Sequence, residues 1–111
     1  MNEWRVYYTD QAYEDLVNIH KYIEGELLEP DIARAQTLRI HESVLTLNEM
    51  PYRFKLYDKE PYKSLGLRMM PVDNFLVFYM TDENKHAVPA IRILYGRQNI
   101  ITQLARTDFD L

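Results

Sequence analysis

The chain has 111 residues, thirteen Lys and Arg against seventeen Asp and Glu, a formal charge of −4 and no cysteine. A length of that order supports one core with no room for a second, so residues 1–111 are expected to form a single domain, and 47% apolar with 27% charged residues excludes a disordered chain. The missing cysteines exclude a disulfide framework and a thiolate zinc site, and the acidic balance confines any nucleic-acid role to a local basic patch.

Met1 to Arg5 lacks the basic start and apolar run of a signal peptide, and no stretch approaches the ~20 apolar residues of a membrane span, so the expected location is the cytoplasm. Trp4 to Thr9 is rich in aromatic and β-branched residues and predicts a strand, and Thr9-Asp10 supplies a helix cap. From Gln11 to about Leu28 the positions Tyr13, Leu16, Val17, His20, Ile23 and Leu27 recur at helical spacing, with Glu14, Asp15, Asn18, Lys21 and Glu24 largely on the other side. Glu29-Pro30-Asp31 breaks the chain and suits the first turn of a second helix. That helix runs to about Glu49, with Ile32, Ala35, Leu38, Ile40, Val44, Leu45 and Leu47 as its apolar stripe, and the two make an antiparallel hairpin.

Pro51 to Lys63 has two prolines and no sustained period, which predicts an exposed connection. Leu65–Val72, Asn74–Thr81 and Val88–Tyr95 then read as a meander of antiparallel strands, with Pro89 at the front of the last, and Asn99–Arg106 as a short helical tail. The order is strand, helix, helix, strand, strand, strand. A helical hairpin of this kind must bury its stripe on one face of an antiparallel-rich sheet, which places the chain in the α+β class.

Only three glycines are present, and no phosphate-cradling loop can be assembled from them. His20, His41 and His86 are isolated, apart from a weak His20–Glu24 spacing, and neither Ser43 nor Ser64 has the setting of a nucleophile. Nothing in the pattern calls for a metal or cofactor. What remains is a set of basic and aromatic residues in the second half: Arg53, Lys55, Lys59, Lys63, Arg68, Arg92 and Arg97, with Tyr52, Tyr57, Tyr62, Tyr79 and Tyr95. Cations of this kind stabilise phosphate and tyrosines stack on bases, but loop lysines are also a solvated face and strand tyrosines also pack. Arg68 and Arg92 each stand between apolar neighbours in a strand, so each is expected on the face opposite those neighbours. Two uses fit such an arginine: lining the open face of the sheet, or a buried salt bridge to Asp or Glu.

Several segments resemble one family, the RelE/ParE toxins of type II toxin–antitoxin modules, also called plasmid-stabilisation toxins. Tyr8-Thr9 followed by Ala12, Asp15-Leu16, Ile19 and Tyr22-Ile23 looks like the family's opening strand and helix, and Leu47 to Pro51 like its helix-ending Leu-x-x-x-Pro. Gly66-Leu67-Arg68 with Val72 is similar to its Gly-Leu-Arg strand, and Ile91-Arg92-Ile93-Leu94-Tyr95-Gly96-Arg97 to its closing signature. The resemblance implies a β-α-α-β-β-β fold, a cognate antitoxin that wraps and neutralises the toxin, and a homodimer or a heterotetramer with that antitoxin. It also implies one of two targets. RelE-like members are ribosome-dependent mRNA endonucleases with an arginine in a Tyr-Arg-x-x-Tyr element, which here reads Phe75-Leu76-Val77-Phe78-Tyr79, and Tyr95 replaces their frequent histidine. ParE-like members are associated with DNA gyrase, and Arg68 and Arg92 match that pattern better. The expectation is a growth inhibitor of gyrase without catalytic chemistry of its own, with Arg68, Arg92, Tyr95, Arg97 and Lys63 as target-binding candidates. The alternatives are an mRNA endonuclease acting at the ribosome and a non-toxic antitoxin-binding domain.

Overall fold

The computed structural model describes residues 3–111; Met1 and Asn2, which open the stretch read above for an export signal, lie outside them. β1 (Arg5–Tyr8) leads into α1 (Asp10–Lys21), which a π-helical turn (Tyr22–Glu26) prolongs, and α2 (Pro30–Leu45) ends in a 3₁₀ turn (Thr46–Asn48). A short α3 (Tyr62–Leu65) precedes β2 (Arg68–Val72), β3 (Phe75–Tyr79) and β4 (Ala87–Tyr95), and α4 (Ile100–Ala105) follows them. The sheet has the order β1-β4-β3-β2 and is antiparallel except for the β1–β4 pair, so the fold is the expected α+β arrangement of a helical hairpin on an antiparallel-rich sheet.

Local chemistry sets the boundaries. The Thr9 side chain accepts the Ala12 N–H at 3.2 Å and starts α1 as an N-cap; Pro30 opens α2; Asn99 accepts the Thr102 N–H and starts α4. No helix among the described residues is long and apolar enough to cross a membrane.

The hairpin packs on one sheet face. Ala12, Leu16 and Ile19 of α1 meet Ile40, Val44 and Leu47 of the second helical segment over Val77, Tyr79, Val88, Ala90 and Ile93. The buried stripe of α1 is thus Ala12, Leu16, Ile19 and Ile23, one position off the expected set, and Tyr13 and Leu27 face solvent. Asp15 lies within that stripe rather than on the polar side. The expected stripe of α2 divides in two: Ile40 and Val44, with Ala33, are buried, whereas Ile32, Ala35, Leu38 and Leu45 are exposed. Both sets have helical spacing, and only packing distinguishes them.

The opposite sheet face is closed as well, contrary to the expectation of an open surface there. Leu67, Phe78, Ile91, Leu94 and Leu104 form a second core, sealed by Tyr57, Tyr62, Ile100 and Phe109. The 51–63 connection is correspondingly more than an exposed loop. Pro51 is buried, Leu56 bridges to Arg68, and Tyr57 packs edge-on against Phe78 at 5.4 Å. Its tyrosines carry the apolar area that the second face needs covered.

Candidate functional site

β1 pairs with β4 only as far as Ala90, so the second half of β4 runs on with a bare edge. Such an edge exposes unpaired N–H and C=O groups and needs cover. Side chains take the place of the missing strand: the Thr9 hydroxyl donates to the Ile91 carbonyl at 3.1 Å, a carboxylate oxygen of Asp15 accepts the Ile93 N–H at 2.9 Å, and the Gln98 side-chain carbonyl accepts the Tyr95 N–H at 2.8 Å.

Arg92 belongs to this edge. Its Nε and Nη2 donate to the two Asp15 oxygens at 2.7 and 2.9 Å, Nη1 donates to the Gln103 carbonyl and the Thr107 hydroxyl at 3.1 Å each, and Nη2 also reaches Gln103 Oε1. All five N–H donors of the guanidinium therefore have acceptors, and the residue is 8% exposed. Of the two uses left open by the sequence, Arg92 takes the buried salt bridge, and the projection onto an open face is corrected. That expectation fails because the second sheet face is covered, and strand alternation itself breaks only at Ile91: Tyr79 pairs with Ala90 and Phe78 with Arg92, leaving Ile91 as the extra residue of a bulge. Ile91 and Ile93 consequently enter opposite cores instead of sharing a face.

Beside the edge lies a groove of about 850 Å³ between the hairpin tip and the end of the sheet. Tyr22, Leu27 and Ile32 form one wall, and Phe75, Tyr95 and Gln98 the other. Tyr95 is 38% exposed and stands edge-on to Phe75 at 5.8 Å. Behind it Gly96 donates to the Asn74 carbonyl at 2.8 Å, and a Cβ there would come within 3.2 Å of that oxygen, a close approach that a larger residue would have to push back. Arg97 follows in the exposed turn before α4.

The other two candidates sit elsewhere. Arg68 pairs across the sheet with Tyr79, whereas Tyr95 pairs with Phe75 at the opposite end of β3, a separation of about 13 Å along the strand. The Arg68 guanidinium donates to the Phe54 and Tyr52 carbonyls at 2.7 and 3.3 Å and lies over the Tyr52 ring, so it holds the connection against the sheet. Lys63 on α3 is exposed, with Asp58 at 3.4 Å. The structure gathers Tyr95 and Arg97 at one end of the molecule and does not bring Arg68 to them. Asp15, Tyr22, Leu27, Ile32 and Phe75 escaped the sequence reading as site residues. The available signals were a carboxylate three residues from Ala12 within a buried stripe, and more apolar side chains at the hairpin tip than one core can use.

The proton chemistry is quiet. Burial pushes Tyr8 up to about 12, and its hydroxyl shares a hydrogen bond with His41 Nδ1 at 2.8 Å. Tyr52 is raised chiefly by its hydrogen bond to Glu83, and Tyr57 and Tyr79 chiefly by burial. A tyrosine recruited as a general base needs the opposite shift. Tyr79, moreover, is fully buried and donates to the Pro51 carbonyl at 2.7 Å, and Leu76, standing where RelE-like chains resemble one another in carrying arginine, packs against the second core.

Fold and site together define a small α+β domain with a grooved, side-chain-capped sheet edge. The model of the ParE toxin family, ParE toxins of type II toxin–antitoxin systems, matches residues 6–100, and the chain belongs to that family. Among solved structures the chain is similar to one of the chromosomal ParDE toxin–antitoxin system of P. aeruginosa, with 19% identity, a TM-score of 0.70, and 86% of this chain and 98% of that one covered. It is also similar to one of the toxin–antitoxin complex RelBE2 of Mycobacterium tuberculosis, with 20% identity, a TM-score of 0.60 and coverage of 84% and 98%. Both likenesses concern the fold. No curated protein sequence matches the chain.

Proposed function

We propose that this type II toxin inhibits growth by acting on DNA gyrase rather than by cutting mRNA at the ribosome, and that a cognate antitoxin neutralises it in the cytoplasm. One observation carries the choice of target: the β3 element that would hold an RNase arginine and tyrosine has Leu76 against the core and Tyr79 sealed behind Pro51. Phosphate cleavage without a metal relies on exposed cations and on a base or acid able to reach the substrate, and at Leu76 and Tyr79, on opposite faces of β3, neither is offered.

Tyr95, Arg97 and Lys63 are the exposed members of the candidate set and serve as target contacts, while Arg92 and Arg68 act as positioning residues. Arg92 fixes the end of β4 and α4 on either side of the Arg97 turn, and Arg68 fixes the connection that carries Lys63. The groove of Tyr22, Leu27, Ile32, Phe75 and Tyr95 receives apolar side chains of the antitoxin, an assignment supported by the similarity to chains of two toxin–antitoxin systems. An antitoxin seated there covers Tyr95, and neutralisation follows from occlusion.

The test is controlled expression in bacteria of the wild type and of a Tyr95→Ala, Arg97→Ala, Lys63→Ala triple variant. Growth arrest with gyrase-linked DNA breaks, lost in a folded triple variant, is the expected result. Arrest with cut messages at translating ribosomes would establish the endonuclease instead, and no arrest would leave an antitoxin-binding domain without toxicity. Separately, Leu27→Asp with Ile32→Asp should abolish co-purification with the antitoxin while arrest persists.

A further inference from the structure

The hairpin tip that walls the groove combines apolar exposure with charge of one sign. Tyr22, Leu27 and Ile32 are each more than half exposed, and Leu28 beside them is 78% exposed. Between them stand Glu24, Glu26, Glu29 and Asp31, four carboxylates in eight residues with no lysine or arginine among them, as much negative charge as the whole chain carries net. Asp31 reaches Arg34 one turn on, an exposed pair worth little, and Glu24 lies 3.5 Å from His20. Glu26 and Glu29 have no ion-pair partner among the described residues.

An exposed apolar patch invites a partner, and the charge around it decides which. A second copy docked tip to tip brings carboxylates against carboxylates, and nucleic acid or an anionic lipid surface is repelled as well. The groove itself adds no free cation: Arg92 is the one basic residue in its lining, and its guanidinium is spent on Asp15. Arg97, exposed in the turn at the opposite wall, is a single positive charge against four. The edge of β4 narrows the occupant further. The Ile91 carbonyl and the Ile93 and Tyr95 N–H groups along it are already bonded to Thr9, Asp15 and Gln98, so a partner strand finds no open ladder there. The occupant engages through side chains, as an amphipathic helix laid in a groove does.

We infer that the hairpin tip selects the antitoxin by charge: the segment entering the groove is an amphipathic helix whose apolar face is flanked by lysine and arginine, and Glu26 and Glu29 are the specificity-determining residues. The apolar walls supply affinity that any amphipathic helix shares, whereas the carboxylates speed the approach of a basic segment and reject an acidic one. The inference rests on the groove being the antitoxin's seat and is independent of the choice between gyrase and ribosome.

Two synthetic peptides with the same leucine face, one carrying lysine and the other glutamate on both flanks, test this against the full-length protein by fluorescence anisotropy. The lysine peptide should bind about ten-fold or more tightly than the glutamate peptide at low salt, with an advantage that shrinks as salt is raised. Glu26→Gln with Glu29→Gln should cut that advantage several-fold, and Glu26→Lys with Glu29→Lys should reverse it, circular dichroism checking that both variants fold. Leu27→Asp with Ile32→Asp should abolish binding of the lysine peptide even though it adds negative charge, because the apolar wall is lost. Equal affinity for the two peptides, lost for both in that last variant, would leave the groove standing and overturn the charge selection. Binding of neither peptide, or binding of the lysine peptide that survives Leu27→Asp with Ile32→Asp, would overturn the groove assignment and the selection with it.

Discussion

Arg92 and Arg68 look alike in the sequence, each a cation between two apolar residues of a strand, yet the regions around them are built differently. At the β4 edge Arg92 meets a carboxylate on α1 and acceptors in and after α4, nearly out of water, and the charge pair ties three elements together. At the β2 edge Arg68 meets no carboxylate, only the Tyr52 and Phe54 carbonyls and the Tyr52 ring, and keeps partial contact with solvent. The contrast teaches that a strand arginine reports a missing donor for some neighbouring backbone carbonyl or carboxylate before it reports a ligand. What distinguishes the two is how much is left unpaired when the guanidinium is removed.

The comparison is broken most severely at Arg92. Arg92→Ala leaves Asp15 buried and uncompensated and is expected to lower stability by about 3 kcal/mol in urea unfolding. Arg92→Lys should recover only part of that loss, because an ammonium cannot reproduce the paired bonds. Full recovery by lysine would mean that charge alone matters there. Tyr79→Phe, which strips the buried Pro51 carbonyl of its donor, should cost about 1–2 kcal/mol with the fold otherwise intact.

At Arg68 the expected loss on Arg68→Ala is about 1 kcal/mol, accompanied by faster proteolysis within residues 51–57, since solvent can replace the guanidinium at those carbonyls. A loss equal to that of Arg92→Ala would erase the distinction between the two regions. The weakest effect is expected at a third, exposed arginine. Hydrogen bonds from Arg39 and Gln36 hold the Asp73 carboxyl below its ordinary value. A lowered carboxylate contributes stability that is complete above its unfolded value, near 4, and is lost as pH falls through the folded one. Arg39→Ala should therefore change little at neutral pH and remove a small acid-side slope from the stability profile, measured by urea unfolding between pH 6 and about pH 3.

Much of this protein was decided by local rules. Alternating apolar residues, the Thr9 cap, the Pro30 helix start and the polar breaks at 73–74 and 82–86 each act over a few residues, and they suffice for the β-α-α-β-β-β order. The family motifs are legible for the same reason: Gly96 answers to one carbonyl, and the Leu47–Pro51 stop answers to the end of one helix. Tertiary structure decided the rest. A single-residue bulge at Ile91 sent Ile91 and Ile93 into opposite cores, the end of β1 at Tyr8 left an edge for Asp15 to cap, and the choice among two apolar stripes of α2 fell to whichever met the sheet. Each of these depends on where a partner strand or helix stops, and that is a property of distant segments in contact, which periodicity along one segment does not contain.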